Sequence, residues 1–130
     1  MGLTPVYVGT YVTAESASNI IDAEGIISGA NSVKSQLSEL DYLSSAVTSA
    51  GSRITANDLS VDGVGPEEKI GQVTSLINET KSNFESGLDG IITNAENYYN
   101  QIQEQYNEEA RRRDAIAIEQ AKNNNNNNNN

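Results

Sequence analysis

The side chains that could carry chemistry in this chain are adjacent acids, scattered serines and one arginine run. Glu67/Glu68 and Glu108/Glu109 are paired carboxylates. Neighbouring helix positions point in different directions, so neither pair converges on a substrate, and a solvated helix face accounts for both. Ser16, Ser18, Ser44, Ser45, Ser49 and Ser52 have no histidine to activate them, because the chain contains none. No Gly-x-Ser-x-Gly elbow is present either. The absence of Cys excludes a thiolate metal site and a disulfide framework. "NDLSVDG", Asn57–Gly63, lacks the Asp-x-Asp-x-Asp-Gly ligand ladder of a calcium loop. "GVGPEEK" lacks the Gly-Lys-Ser/Thr end of a phosphate loop. These residues predict no catalytic centre, no metal and no cofactor.

The elements that carry them are helices. Residues 1–13, with "PVYVGTYV", read as a short extended arm or a frayed terminus. From residue 14 to residue 50 the pattern is helical. Ile26, Ala30, Val33, Leu37, Leu40, Ser44 and Val47 recur at alternating steps of four and three, a heptad seam. Ile20, Ile27 and Leu43 widen that stripe. Residues 51–65, rich in Gly, Asn and Asp, read as a loop. Pro66 then suits the first position of a second helix, with Glu67 and Glu68 placed well for the helix dipole. That helix is expected over 66–121. Its seam runs through Ile70, Val73, Ile77, Thr80 and Phe84, then Leu88, Ile91, Ala95, Tyr98 and Ile102. The register slips between Phe84 and Leu88, beside Gly87 and Gly90, which predicts a bend or a turn. Residues 122–130, nearly all Asn, read as a disordered tract.

Each helix has one apolar face and neither can bury it alone. The expected fold is all-α: an antiparallel two-helix hairpin, coiled-coil-like, completing a four-helix bundle on dimerisation. The helix–helix interface is assigned to Ile26, Val33, Leu37, Leu40, Ile77, Phe84, Leu88 and Ile91. With 36% hydrophobic residues, one Phe and no Trp, the chain favours such a thin seam over a thick core. A two-helix contact cannot cover both flanks of the doubled Ile20/Ile21 and Ile26/Ile27, which predicts a homo- or hetero-oligomer with another helical hairpin. The net charge is −10, with the same excess of acid in both halves. That surface opposes nucleic acid, whose phosphates need clustered cations. It also opposes anionic membrane surfaces. No stretch reaches the roughly 20 apolar residues of a spanning helix, so no membrane insertion is expected. "MGLTPVYVGTYVTAES" has neither the basic start nor the apolar run of a cleaved signal peptide.

One stretch remains: "YYNQIQEQYNEEARRRD", Tyr98–Asp114, on the part of the second helix that outreaches the first. Tyr98 continues the seam, whereas Tyr99 and Tyr106 lie off it or at its end. Glu108 with Arg112 and Glu109 with Arg113 have the spacing of stabilising helix pairs.

The heptad-paced, Ala/Ser-rich "AEGIISGANSVKSQLSELDYLSSAVTSAGSRI" and the turn "LSVDGVGPEEKIGQVTSLI" resemble the small helical-hairpin proteins of type VII secretion in Gram-positive bacteria. That group includes the Trp-x-Gly family and the partner hairpins of Leu-x-Gly toxins. The resemblance covers roughly residues 14–114 and rests on architecture and composition. Val61 stands where the Trp of the turn motif would be, in "VDG", Val61–Gly63. The export signal Tyr-x-x-x-Asp/Glu is not matched, since Tyr98, Tyr99 and Tyr106 are followed four residues on by Ile102, Gln103 and Ala110. The resemblance implies a leaderless secreted protein made in the cytoplasm. It would be a type VII substrate or the partner hairpin of a toxin, with a secretion ATPase or the toxin as partner. It also implies that Tyr99, Tyr106, Arg111, Arg112 and Arg113 form the recognition stretch. The alternative from the same heptads is a self-assembling structural coiled coil, of phage or surface-appendage type.

Overall fold

The computed structural model describes residues 2–56 and 66–128. A 3-10 turn at Ala17–Asn19 is followed by α1 (Ala23–Gln36), α2 (Glu39–Ala56) and α3 (Pro66–Asn128). Among the described residues the one backbone bridge outside the helices joins Val8 and Thr13 in antiparallel sense. The protein is therefore all-α, and no described helix is long and apolar enough to cross a membrane. The chain divides into two compact units, Met1–Ile27 with Ile92–Asn130, and Ser28–Ile91. The calcium-like stretch Asn57–Gly63 and the turn at Val61–Gly63 lie outside the described residues, as do Asn129 and Asn130.

The helix boundaries differ from those expected, for local reasons. The first α-helix starts at Ala23 rather than at residue 14. Upstream, side chains hold the backbone in other shapes: Ser16 caps the 3-10 turn by accepting from the Ser18 N–H. Asp22 then caps α1, its carboxylate accepting from the Gly25 N–H at 3.0 Å. The expected single helix is broken at Leu37–Ser38. There Ser38 Oγ donates to the Ser35 carbonyl at 2.8 Å, and the backbone tightens to three-residue bonds, Ser38 N–H to Ser35 O and Leu40 N–H to Leu37 O. Such hydroxyls compete with the helical ladder. α2 continues to Ala56, so residues 51–56 are helix and not loop.

α3 begins at Pro66 as expected and passes through Gly87–Gly90 without a break. It ends at Asn128 rather than residue 121, so Asn123–Asn128 are helical and exposed. Extending an existing helix needs no new nucleus, which lets even a weak helix former add turns.

In the second unit the helices run antiparallel. Lys34 Nζ meets Asp89 at 2.6 Å, Lys81 Nζ meets Asp41 at 2.9 Å, and Gly51 faces Ile70. The partner number falls as the chain number rises, which fixes the direction. Gly51 is buried against the Ile70 side chain so closely that any Cβ would overlap it. The ion pairs are largely exposed and contribute little. Contact with Asp41 holds the Lys81 ammonium above the usual lysine range.

The first unit is built differently. Its apolar core is small: Ala17, Ala23 and Tyr99 are buried, with Leu3, Ile21, Ile27 and Ile102 packed around them. The largest fully buried side chains among the described residues are polar, Gln103 and Asp114. Buried polar groups must be hydrogen-bonded to be tolerated. Their partners form the centre of the next section.

Candidate functional site

The C-terminal part of α3 carries Asn100, Gln103, Asn107, Ala110 and Asp114 at alternating steps of three and four, which places them along one helix face. The N-terminal arm lies on that face. The Asn100 side chain accepts from the Thr4 N–H at 2.7 Å and donates to the Gly2 carbonyl at 3.1 Å. Asn107 accepts from the Tyr7 N–H at 2.9 Å and donates to the Pro5 carbonyl at 2.9 Å. The chain then turns back: Gly9 N–H donates to Val12 O at 2.9 Å, and Ala14 N–H to Tyr7 O at 2.9 Å. On its return it meets Gln103, which accepts from the Ala17 N–H at 2.8 Å and donates to the Glu15 carbonyl at 2.9 Å. Gln103 also donates to Asn107 at 3.0 Å, tying the ladder together.

Asp114 closes the turn. One carboxylate oxygen accepts from Tyr11 and Val12 N–H at 2.6 and 2.9 Å. The other accepts from the Thr10 N–H at 3.1 Å and the Tyr7 hydroxyl at 3.2 Å. Successive backbone N–H groups of a turn make an anion-binding concavity, and here a side chain of the same protein fills it. The bond from Tyr11, helped by those from Thr10, Val12 and Tyr7, holds the Asp114 carboxyl below the usual aspartate range, against the opposing effect of burial. Burial raises the Tyr7 phenol, and the adjacent Asp114 charge raises it further. Arg111 sits over the Tyr7 ring, 5.3 Å from its centroid. Gly9 is required by space: a Cβ there would overlap the Asp114 carboxylate and the Val12 carbonyl.

The residues assigned to recognition are placed unevenly by the structure. Tyr99 is a core residue, 8% exposed, while Tyr98, expected in the seam, is 52% exposed. The two exchange roles because the arm approaches α3 from the Tyr99 side and brings Ala17 and Ala23 with it. Tyr106 is half-buried and lines a cleft with Val12–Glu15, Glu109, Ala110 and Arg113. The expected i,i+4 pairs are replaced. Arg112 pairs with Glu109 at 2.8 Å, drawing the Glu109 carboxyl below its usual range, and Arg111 pairs with Glu104 at 3.1 Å. Arg111, Arg112 and Arg113 all remain exposed.

The interface residues divide too. Leu37, Leu40, Ile77 and Leu88 are half-buried, whereas Ile26, Val33, Phe84 and Ile91 are exposed. On α3 the exposed group has a pattern. Val73, Leu76, Phe84 and Ile91, with Thr80 and Gly87 between them, fall within about a quarter of the helix circumference at 3.6 residues per turn. Ile70, Thr74, Ile77, Lys81 and Leu88, which are half-buried, occupy the next quarter. Phe84, Gly87, Leu88 and Ile91 line a shallow, mainly apolar groove. The apolar stripe of α3 is thus wider than its neighbours cover.

Sequence reading passed over Asn100, Gln103, Asn107 and Asp114, which with Ala110 repeat the three-four steps of the seam on a face about a third of a turn away from it. Comparison with protein families, curated proteins and solved structures finds no match for this chain.

Proposed function

We propose that the protein is a non-enzymatic pairing module that binds a second helical hairpin through the uncovered face of α3, giving a four-helix bundle. The observation that carries this reading is the exposed stripe Val73, Leu76, Phe84 and Ile91. A helix with apolar side chains over two adjacent quarters needs two partners, and the second unit supplies one. The resemblance to type VII secretion hairpins supports the biological setting: an export substrate, or the partner hairpin of a larger toxin. In that setting the exposed arginines Arg111, Arg112 and Arg113 and the exposed Tyr98 are what a secretion ATPase or toxin tail would meet.

The test is the mass of the chain by light scattering over a wide concentration range. A single and a paired particle in equilibrium, with the pair lost in Phe84→Glu or Ile91→Glu, supports pairing at this face. A pair that survives both substitutions refutes it. Growth into ever larger assemblies would instead favour the structural coiled-coil reading. Export is tested separately, by deleting the secretion ATPase of a Gram-positive host that makes the protein: the chain must then stay in the cells.

A further inference from the structure

The ladder on α3 reads the arm almost wholly through its main chain. Asn100 bonds the carbonyl of residue 2 and the N–H of residue 4. Asn107 does the same for residues 5 and 7, and Gln103 for residues 15 and 17. In extended backbone the carbonyl of one residue and the N–H two residues on point to the same edge. A side-chain amide, with one acceptor and one donor arm, matches that pair. Three amides repeating one clasp make a site for extended peptide, and Asp114 adds a socket for the turn at its tip.

We propose that this face of α3 is a peptide receptor whose occupant in trans is the arm of a second copy of the chain. The ladder asks for main-chain groups, a glycine at position 9 and the Tyr7 hydroxyl, and any copy's arm supplies them. Between the 3-10 turn and α1 lie three residues, Ile20–Asp22, and exchange would open the chain there. Exchange of arms between two copies preserves every bond at both docks, so the folded states with and without exchange differ little in contact energy. In the single chain the tether holds the arm at an effective concentration on the order of millimolar, which keeps it docked at low protein concentration. The inference is independent of pairing at Phe84 and Ile91, which lie outside the ladder.

The test uses the full chain carrying Gly9→Leu. Its own turn cannot seat against Asp114, while the ladder stays intact. A labelled synthetic peptide of residues 2–19 with the native sequence is titrated against it. The expected result is saturable binding at one peptide per chain, weaker by roughly tenfold or more against the unsubstituted chain, whose own arm occupies the site. The same loss is expected when Asn107→Ala is added, and the peptide carrying Gly9→Leu does not bind. No saturable binding to a Gly9→Leu chain that retains its helical circular dichroism overturns the proposal, as does binding indifferent to Asn107→Ala. Should Gly9→Leu fail to fold, the unsubstituted chain decides the matter. Millimolar peptide must then move the Gly9 amide resonance of the chain towards its unstructured position while the α3 resonances stay. An unmoved Gly9 resonance overturns the proposal.

Discussion

One helix holds its neighbours in two ways along its length. In the second unit α3 meets α1 and α2 through half-buried aliphatic residues and exposed ion pairs, and Phe84 and Ile91 face solvent. In the first unit α3 meets the arm through a polar ladder whose largest members, Gln103 and Asp114, are fully buried and fully partnered. The physical difference is directionality. Apolar burial is proportional to area and indifferent to register, so it leaves a face able to accept another partner. Hydrogen bonds from buried amides accept one register only, because a shift would strand donors without acceptors. The first unit is consequently closed on its arm, and the second remains open.

The contrast can be broken most severely at Asp114. Asp114→Ala strands the N–H groups of Thr10, Tyr11 and Val12. The arm should leave α3, and those amides should exchange with solvent on the order of a hundredfold faster while helical circular dichroism persists. Tyr99→Ala empties the small core and should lower stability by about 3 kcal/mol in denaturant unfolding. Gln103→Ala leaves the Ala17 N–H and the Glu15 carbonyl unpaired, for about 2 kcal/mol in the same assay.

Acid sharpens the comparison without mutation. The native Asp114 carboxyl is depressed, so its contribution is complete above the ordinary aspartate value of about 3.9. It is lost as pH falls below that value and through the native one. Arm amides should lose protection in that window, and the Asp114→Asn chain should lack that step. Phe84→Ala lies at the other extreme: in the single chain it should change stability by less than about 0.5 kcal/mol, because the side chain is exposed. Its effect belongs to pairing.

The helices were legible because apolar periodicity reports which faces must be covered. Pro66 and the acids after it marked the start of α3 correctly. The break at Leu37–Ser38 was not visible, since it depends on where the Ser38 hydroxyl points rather than on hydropathy. The start of α1 was missed because Ser16 and Asp22 are capping residues inside a pattern that otherwise reads as helix. The arm dock was missed for a deeper reason. A seam search looks for apolar residues, and beyond Tyr99 the buried face of α3 turns to Gln103, Asn107 and Asp114, with Ala110 between them. The recoverable signal is Asn100, Gln103, Asn107, Ala110 and Asp114 repeating three-four steps on a face about a third of a turn away from the seam. The partner is hard to read from sequence because the ladder binds backbone, and the arm's fitted side chains, Leu3, Tyr7, Gly9 and Ala17, share no period.

The most direct test of this account is native-state amide hydrogen exchange at Tyr11, Val12 and Ala17, the three arm N–H groups whose acceptors are the buried Asp114 and Gln103. The account predicts that all three exchange as slowly as amides in the middle of α3, and that Tyr11 and Val12 lose that protection in Asp114→Ala. Exchange at the rate of an unstructured peptide in the unsubstituted chain would contradict it, because the arm would then not be held by the ladder.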